Sequence, residues 1–293
     1  MSIKLINILN ELNDDQASVA LSQIIASSGV SDFVSKFKVI VADPKVQAIL
    51  KAGRTDGIPN DEKINYSKKQ IKVSALIPTQ NEIGFDQSIE NILTNQYGSL
   101  ASIFKGTANV GGPIVTYNGK YVIDGHHRWS QVFAANPNAS MEALDIQGNL
   151  KPTEILKIVH AAIAIKLGEV PSADPKGINI LNGVTEKQVL DAVNSKLSEG
   201  AKKLWSEHGQ ADNEAIAKYI QGNLEILISK NKPISGAPGR KDMPQTDYGD
   251  KNITKTLDFI KNGIVNFKNP KSTDIKDNNI KEIKRLQKLA GIK

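Results

Sequence analysis

The spacing of apolar residues changes character near residues 70, 150 and 230, and these changes divide the chain into four stretches. Residues 1–65 read as a helical N-terminal region. Ile3, Leu5, Ile6, Ile8, Leu9 and Leu12 form one apolar run, and Val19, Leu21, Ile24 and Ile25 form another. Asp43-Pro44 predicts a further helix start, an N-cap followed by proline at the first helical position. That helix carries Val46, Ile49 and Leu50 and is expected to stop at Gly53. Residues 54–69 are polar, include Gly57, Pro59, Asn60 and Asp61, and read as a linker or long loop.

Between residues 70 and 150 the period shortens. Residues 71–78 alternate as a strand that ends at Pro78, and Asp86 is placed to cap a helix bearing Ile89, Ile92 and Leu93. Residues 113–123 hold two β-branched and aromatic runs on either side of Asn118-Gly119, the pattern of a β-hairpin. Trp129, Val132, Phe133 and Ala134 begin a helical pattern that stops near Pro137, and residues 141–146 predict a closing strand. The expectation is an α/β fold of the α+β kind, a small mixed sheet (residues 70–150) with helical regions before and after it.

Residues 151–230 return to helical spacing. Pro152-Thr153-Glu154 opens a helix that runs through Leu167 to Gly168 and is apolar on most sides, so it is expected to be buried with His160 as a satisfied core residue. Thr185 and Gln188 form a capping box, with Val184 as its staple, for a helix ending at Gly200. Another helix starts near Asp212 and carries Ile216, Tyr219, Ile220, Leu224, Leu227 and Ile228. No tight helix-turn-helix pair with a basic recognition face is evident. Residues 231–293 form the fourth stretch. Residues 233–245 read as an irregular linker, basic at its centre, followed by a short helix over 253–264 and a polar stretch over 268–279. Residues 280–293 form an amphipathic helix suited to docking on a partner, another copy or the chain's own core.

Composition narrows the class. A length of 293 residues suggests one large or two modest domains, and 40% apolar residues permit a sizeable core. No run approaches the ~20 apolar residues of a membrane span. The first seven residues lack the features of a signal peptide, so no membrane partner and a cytoplasmic location are expected. The absence of cysteine excludes disulfides and thiolate metal sites. A diffuse net charge of +6 permits contact with DNA without demanding it.

One dense cluster of site chemistry stands out, Val122-Ile123-Asp124-Gly125-His126-His127-Arg128-Trp129, which holds two of the four histidines. It lies at a strand end and passes through a glycine into a helix N-terminus, where unpaired amides and the helix dipole favour an anion such as phosphate. Arg128 adds a guanidinium and Asp124 a metal contact or a base. Adjacent histidines point in different directions, and His160 and His208 are remote, so zinc is not expected. One of the pair is expected to face phosphate and the other to be held by a backbone carbonyl. Upstream, residues 105–112 form a glycine-containing loop in which Thr107 and Asn109 could donate to a phosphate or a base.

Asp-Gly-His-His-Arg after a short hairpin resembles the signature of the ParB/sulfiredoxin superfamily, over roughly residues 73–146. Its members include partition proteins, phage and plasmid ParB-like nucleases, sulfiredoxins and an ADP-dependent free serine kinase. The resemblance implies a nucleotide-binding domain with phosphates at Gly125, His126, His127 and Arg128, and Mg²⁺ shared between phosphates and Asp124. It implies that ATP, ADP or another nucleotide is bound, and that the chain acts as a nuclease, phosphotransferase or hydrolase. Glu82, in the loop after the first strand, matches by position a glutamate thought to act as base in the kinase branch, with Asp124 and His127 completing the catalytic set. Sulfiredoxins carry a catalytic cysteine where this chain has His126, which excludes their chemistry. Partition proteins carry Gly-Glu-Arg-Arg at the comparable place, so the His126-His127 pair departs from the CTP-binding pattern. The amphipathic tail resembles the closing peptide of tailed-phage proteins, which implies a phage-protein partner. The alternative class is a non-catalytic DNA- or nucleotide-binding scaffold with an assembly or virion role.

Overall fold

In a computed structural model, residues 6–7, 10–11, 29–40, 43–51, 64–171, 177–244 and 250–261 are described. Helices α1 (Val30–Ile40) and α2 (Pro44–Lys51) precede the sheet. The cap expected at Asp43 is present: its Oδ1 accepts from the amides of Lys45 and Val46 at 2.9 and 3.1 Å. The apolar run at Val19–Ile25, the stop at Gly53 and everything expected beyond residue 261 lie outside the described residues, as does most of the run from Ile3 to Leu12.

The sheet has six strands in the order β1-β6-β4-β5-β2, with β3 also paired to β6. Strand β1 (Asn65–Lys72) pairs antiparallel along its whole length with β6 (Ser140–Gln147). Part of the expected linker is therefore an edge strand. Its outward residues Lys68, Lys69 and Gln70 are polar, as edge strands require, and that polarity hid it from the apolar pattern. The strand expected over 71–78 is broken. Val73–Ala75 form a 3-10 turn, and only β2 (Ile77–Pro78) continues into the sheet, parallel to β5 (Tyr121–Asp124). Side chains satisfy the break, since Trp129 Nε1 donates to the Val73 carbonyl and Asn231 Nδ2 to those of Ser74 and Leu76.

Helix α3 (Phe85–Thr94) starts from Gly84, so Asp86 lies in its first turn and is not the cap. Helix α4 (Leu100–Phe104) leads to β3 (Thr107–Ala108) and then to β4 (Ile114–Tyr117), which forms the expected hairpin with β5. Asn118 and Gly119 both take positive φ, 52° and 65°, as a two-residue primed turn requires. The buried carboxylate of Asp145 fixes this turn. Its Oδ1 accepts from the Gly119 amide at 2.7 Å and from Thr116 Oγ1 at 2.8 Å, and its Oδ2 from Lys69 Nζ at 2.7 Å.

Helix α5 (His126–Ala135) follows β5 directly, and α6 (Pro152–Leu167) follows β6, ending at Gly168 as expected. Helix α7 (Glu186–Lys196) has the expected Thr185–Gln188 box. A helix absent from the expectation comes next, α8 (Glu199–Glu207), capped by Ser198. Gly200, expected as a terminator, sits instead in its first turn. Helices α9 (Asn213–Lys230) and α10 (Asp250–Lys261) complete the described chain.

Helices cover both faces of the sheet. Val115, Tyr117, Ile123, Leu144 and Ile146 pack with α1, α6 and α10, whereas Ile71, Ile114, Val122, Met141 and Ala143 pack with α3, α5 and α7 to α9. The fold is thus mixed α/β, and no described helix is long and apolar enough to cross a membrane.

Removing the Asp145 carboxylate strands the Gly119 amide and Thr116 hydroxyl together. Asp145→Ala is expected to lower stability by roughly 3 kcal/mol. Lys69→Ala should cost under about 1 kcal/mol, because its ammonium is 43% exposed and the carboxylate keeps its other donors. Urea unfolding of the two variants measures the contrast.

Candidate functional site

Strands β2 and β5 are parallel neighbours, so their carboxyl ends deliver two segments to the same edge of the sheet. From β5 the chain turns through Gly125 into α5. From β2 it enters the loop of residues 79–84, which leads to α3.

Gly125 has φ 88°, and a Cβ there would lie 2.7 Å from Ile114 Cγ2 and 3.1 Å from Arg128 Nη2. Both the backbone conformation and the available space require glycine. The N-cap of α5 is Gly125, which has no side chain to offer its first-turn amides, and the helix start carries partial positive charge.

The two histidines diverge from this start and hold opposite ends of the 79–84 loop. The Thr79 amide donates to His126 Nε2 at 3.2 Å, and the Gly84 amide donates to His127 Nε2 at 3.2 Å. The Val122 carbonyl also hydrogen-bonds the His126 ring and accepts from Thr79 Oγ1 at 2.6 Å. His126 is thus the histidine held by a backbone carbonyl, and it is buried. His127 is half-buried, with its Nε2 engaged by the loop.

Arg128 is buried. Its Nη1 donates to the Pro113 carbonyl at 2.6 Å and its Nη2 to Asp124 Oδ2 at 3.1 Å. The guanidinium expected to clamp an anion therefore ties the loop before the hairpin to the strand end, and it engages the Asp124 carboxylate. Thr107 and Asn109 are exposed, and Thr107 pairs with Ser140, three positions along β6 from the partner of Ile114. The hydrogen bonds of the turn reach neither residue.

Glu82 is half-buried, and its Oε2 accepts from the Arg240 amide at 3.1 Å. The stretch expected as a plain linker lies along the loop. The Asn81 amide donates to the Pro238 carbonyl at 2.9 Å, Asn81 Nδ2 to the Ala237 carbonyl at 2.8 Å, and the Ile234 amide to the Pro78 carbonyl at 3.3 Å. This strap places Arg240, which sequence reasoning left out of the site. The only sequence signal for it is the basic centre of an irregular segment, and pairing over 158 positions is invisible to periodicity.

The electrostatics follow from burial and from Arg240. Burial, with the positive charge of Arg240 second, pushes His127 down to about 4. The same two causes, in the same order, push His160 down to about 3. Burial depresses His126 well below the ordinary range, helped by His127, Arg240 and His160 and opposed by the Val122 carbonyl. All three rings are neutral at pH 7, which is the state in which Nε2 can accept an amide.

His160 on α6 departs from the expectation of a satisfied core residue. It is 4% exposed, and neither ring nitrogen has a hydrogen-bond partner among the described residues. Periodicity correctly buries this position and says nothing about what its nitrogens bond. No group of three or more His, Asp or Glu side chains suited to a metal forms among the described residues. Asp124 is the carboxylate at the turn, and Arg128 Nη2 engages its Oδ2 at 3.1 Å.

Two outcomes follow. Gly125→Ala must accept a left-handed backbone and a clash with Ile114, and is expected to cost about 2 kcal/mol or more, read as a lower melting temperature. Acid should also destabilise the fold. The histidines have folded values below their unfolded value of 6.5, so the unfolded chain binds protons that the folded chain refuses. Stability is complete above about pH 6.5 and falls towards pH 4, by up to about 1.4 kcal/mol per pH unit for each such histidine. Urea unfolding at pH 7.5, 6 and 5 should show this slope. His127→Gln, which keeps an acceptor for the Gly84 amide, should flatten it.

No protein-family model, curated protein or solved structure matches the chain, so a functional reading rests on this geometry and on the resemblance of the turn.

Proposed function

We propose that the chain binds a nucleotide or another phosphate ester at the start of α5 and acts on its phosphates, as a ParB-like nuclease or a nucleotide-dependent phosphotransferase or hydrolase. One observation carries the reading. The N-terminus of α5 leaves β5 through Gly125, an N-cap whose position excludes any side chain, beside the loop that bears Glu82. Amides at such a start receive phosphate oxygens without needing a side-chain charge.

Each residue then has a defined task. Gly125 lets the backbone approach the phosphates. His126 and His127 hold the Glu82 loop against the helix start. Arg128 positions Asp124, and Asp124 would serve as the protein ligand of a magnesium ion that arrives with the phosphates, since magnesium commonly takes one or two carboxylates with substrate oxygens and water. Glu82 is the base for water, a hydroxyl or a phosphodiester, held in place by the Arg240 amide on one of its two oxygens. Positioning and charge stabilisation would supply most of the rate.

A second reading has its own observation. Arg128, both histidine Nε2 atoms and Glu82 Oε2 are all engaged within the chain. Such saturation suits a non-catalytic scaffold that retains nucleotide or DNA affinity.

Calorimetry with ADP, ATP and CTP in the presence of Mg²⁺, paired with assays of nucleotide turnover and DNA cleavage, tests the proposal. Binding of at least one nucleotide is expected. Glu82→Gln should keep that binding while turnover falls about 100-fold or more. Binding without turnover by the unmodified chain would move the assignment to the scaffold. Absence of both binding and cleavage would overturn the proposal.

A further inference from the structure

Asn179, between helices α6 and α7, makes two more hydrogen bonds than its own turn needs. Residues 178–180 run antiparallel to residues 83–85. The Ile180 amide donates to the Ile83 carbonyl at 2.9 Å and the Phe85 amide to the Ile178 carbonyl at 2.8 Å, around a bridge between Gly84 and Asn179. Ile83 and Ile180 are fully buried and anchor the pair. The backbone then leaves this short ladder in a 3-10 turn, Ile180–Asn182.

The Asn179 side chain continues the ladder where the backbone turns away. Its Oδ1 accepts from the Ile83 amide at 3.0 Å, and its Nδ2 donates to the Asn81 carbonyl at 3.0 Å. These two bonds fall on either side of Glu82. Oδ1 also accepts from the Leu181 amide at 3.1 Å, which caps the 3-10 turn. Capping needs only an acceptor, which Ser, Thr or Asp also offers. The bonds to residues 81 and 83 need an acceptor and a donor side by side, which a carboxamide carries.

Glu82 is therefore braced from two directions. The strap holds the Asn81 amide and Glu82 Oε2, while Asn179 holds the backbone just before and just after Glu82. The Glu82 carbonyl accepts from Gln80 Nε2. Glu82 Oε1 accepts no hydrogen bond among the described residues, so it is the oxygen able to take a proton.

We propose that Asn179 is a positioning residue for Glu82. Its side-chain carboxamide fixes the backbone on both sides of Glu82 and so holds the carboxylate where it can act as base. The inference rests on the base role given to Glu82 above, and it extends the site to a residue 98 positions beyond Asn81. The proton passes from the attacking water or hydroxyl to Oε1, and Asn179 takes no part in the transfer.

The test uses the full chain with Mg²⁺ and ADP, ATP, CTP or plasmid DNA, whichever it turns over. Asn179→Ser keeps a cap for the 3-10 turn but loses the carboxamide that joins residues 81 and 83. Its kcat should fall about tenfold to 100-fold with KM unchanged, the scale of loss when a reacting group is misplaced. In a Glu82→Gln background the same substitution should lower kcat no further, because no base is left to position. Without any substrate, the Ile83 amide should exchange faster with deuterium in Asn179→Ser than in the unmodified chain. An unchanged kcat, or a loss that persists in full in the Glu82→Gln background, would overturn the inference and leave the phosphate-binding reading intact. If Asn179→Ser fails to fold, Asn179→Asp carries the same cycle, since it keeps both accepted bonds and loses only the one to Asn81. Absence of turnover by the unmodified chain would overturn the inference together with the base role of Glu82, and nucleotide binding would still stand or fall by calorimetry.

Discussion

Two hydrogen bonds, from the Thr79 amide to His126 and from the Gly84 amide to His127, hold the site in its shape. They span the loop that carries Glu82 and fasten both of its ends to the first turn of α5. Each bond exists only while the imidazole accepts, so each depends on the ring being neutral. Burial and the Arg240 charge enforce that neutrality, and the Val122 carbonyl fixes the orientation of the His126 ring. Adjacent histidines cannot easily share one ligand, but their divergence suits them to gripping two ends of a loop.

The turn beneath them is equally constrained. Gly125 is squeezed between Ile114 and the Arg128 guanidinium, and Arg128 is tied to Asp124 and the Pro113 carbonyl. The turn's side chains therefore build a scaffold around the start of α5. Within the turn Arg128 and Asp124 pair with each other, and further positive charge comes from the start of α5 and from Arg240 on the strap.

Local chemistry was legible wherever one residue decides one backbone event. Asn118-Gly119 predicts the primed turn, Asp43, Pro152 and Thr185 mark helix starts, and Gly168 marks a stop. Legibility failed where the deciding partner lies elsewhere. Strand β1 is polar because it lies at the sheet edge, and only pairing with β6 reveals it. Gly200 reads as a terminator, yet Ser198 caps a new helix around it. The turn motif marks the site, whereas Arg240 reaches the Glu82 loop through folding alone. Its place is visible only once the strap has packed.

The strap also sets when the site comes into being. Glu82 and the amide that holds it are separated by 158 residues, the longest span in the site. At about 5–20 residues per second, synthesis leaves a gap of roughly 8–30 s between them. During that time the sheet, the hairpin and the histidine pair can assemble around a loop whose outer side is bare. The Glu82 loop is therefore anchored on its histidine side early and gains its contacts with the strap last.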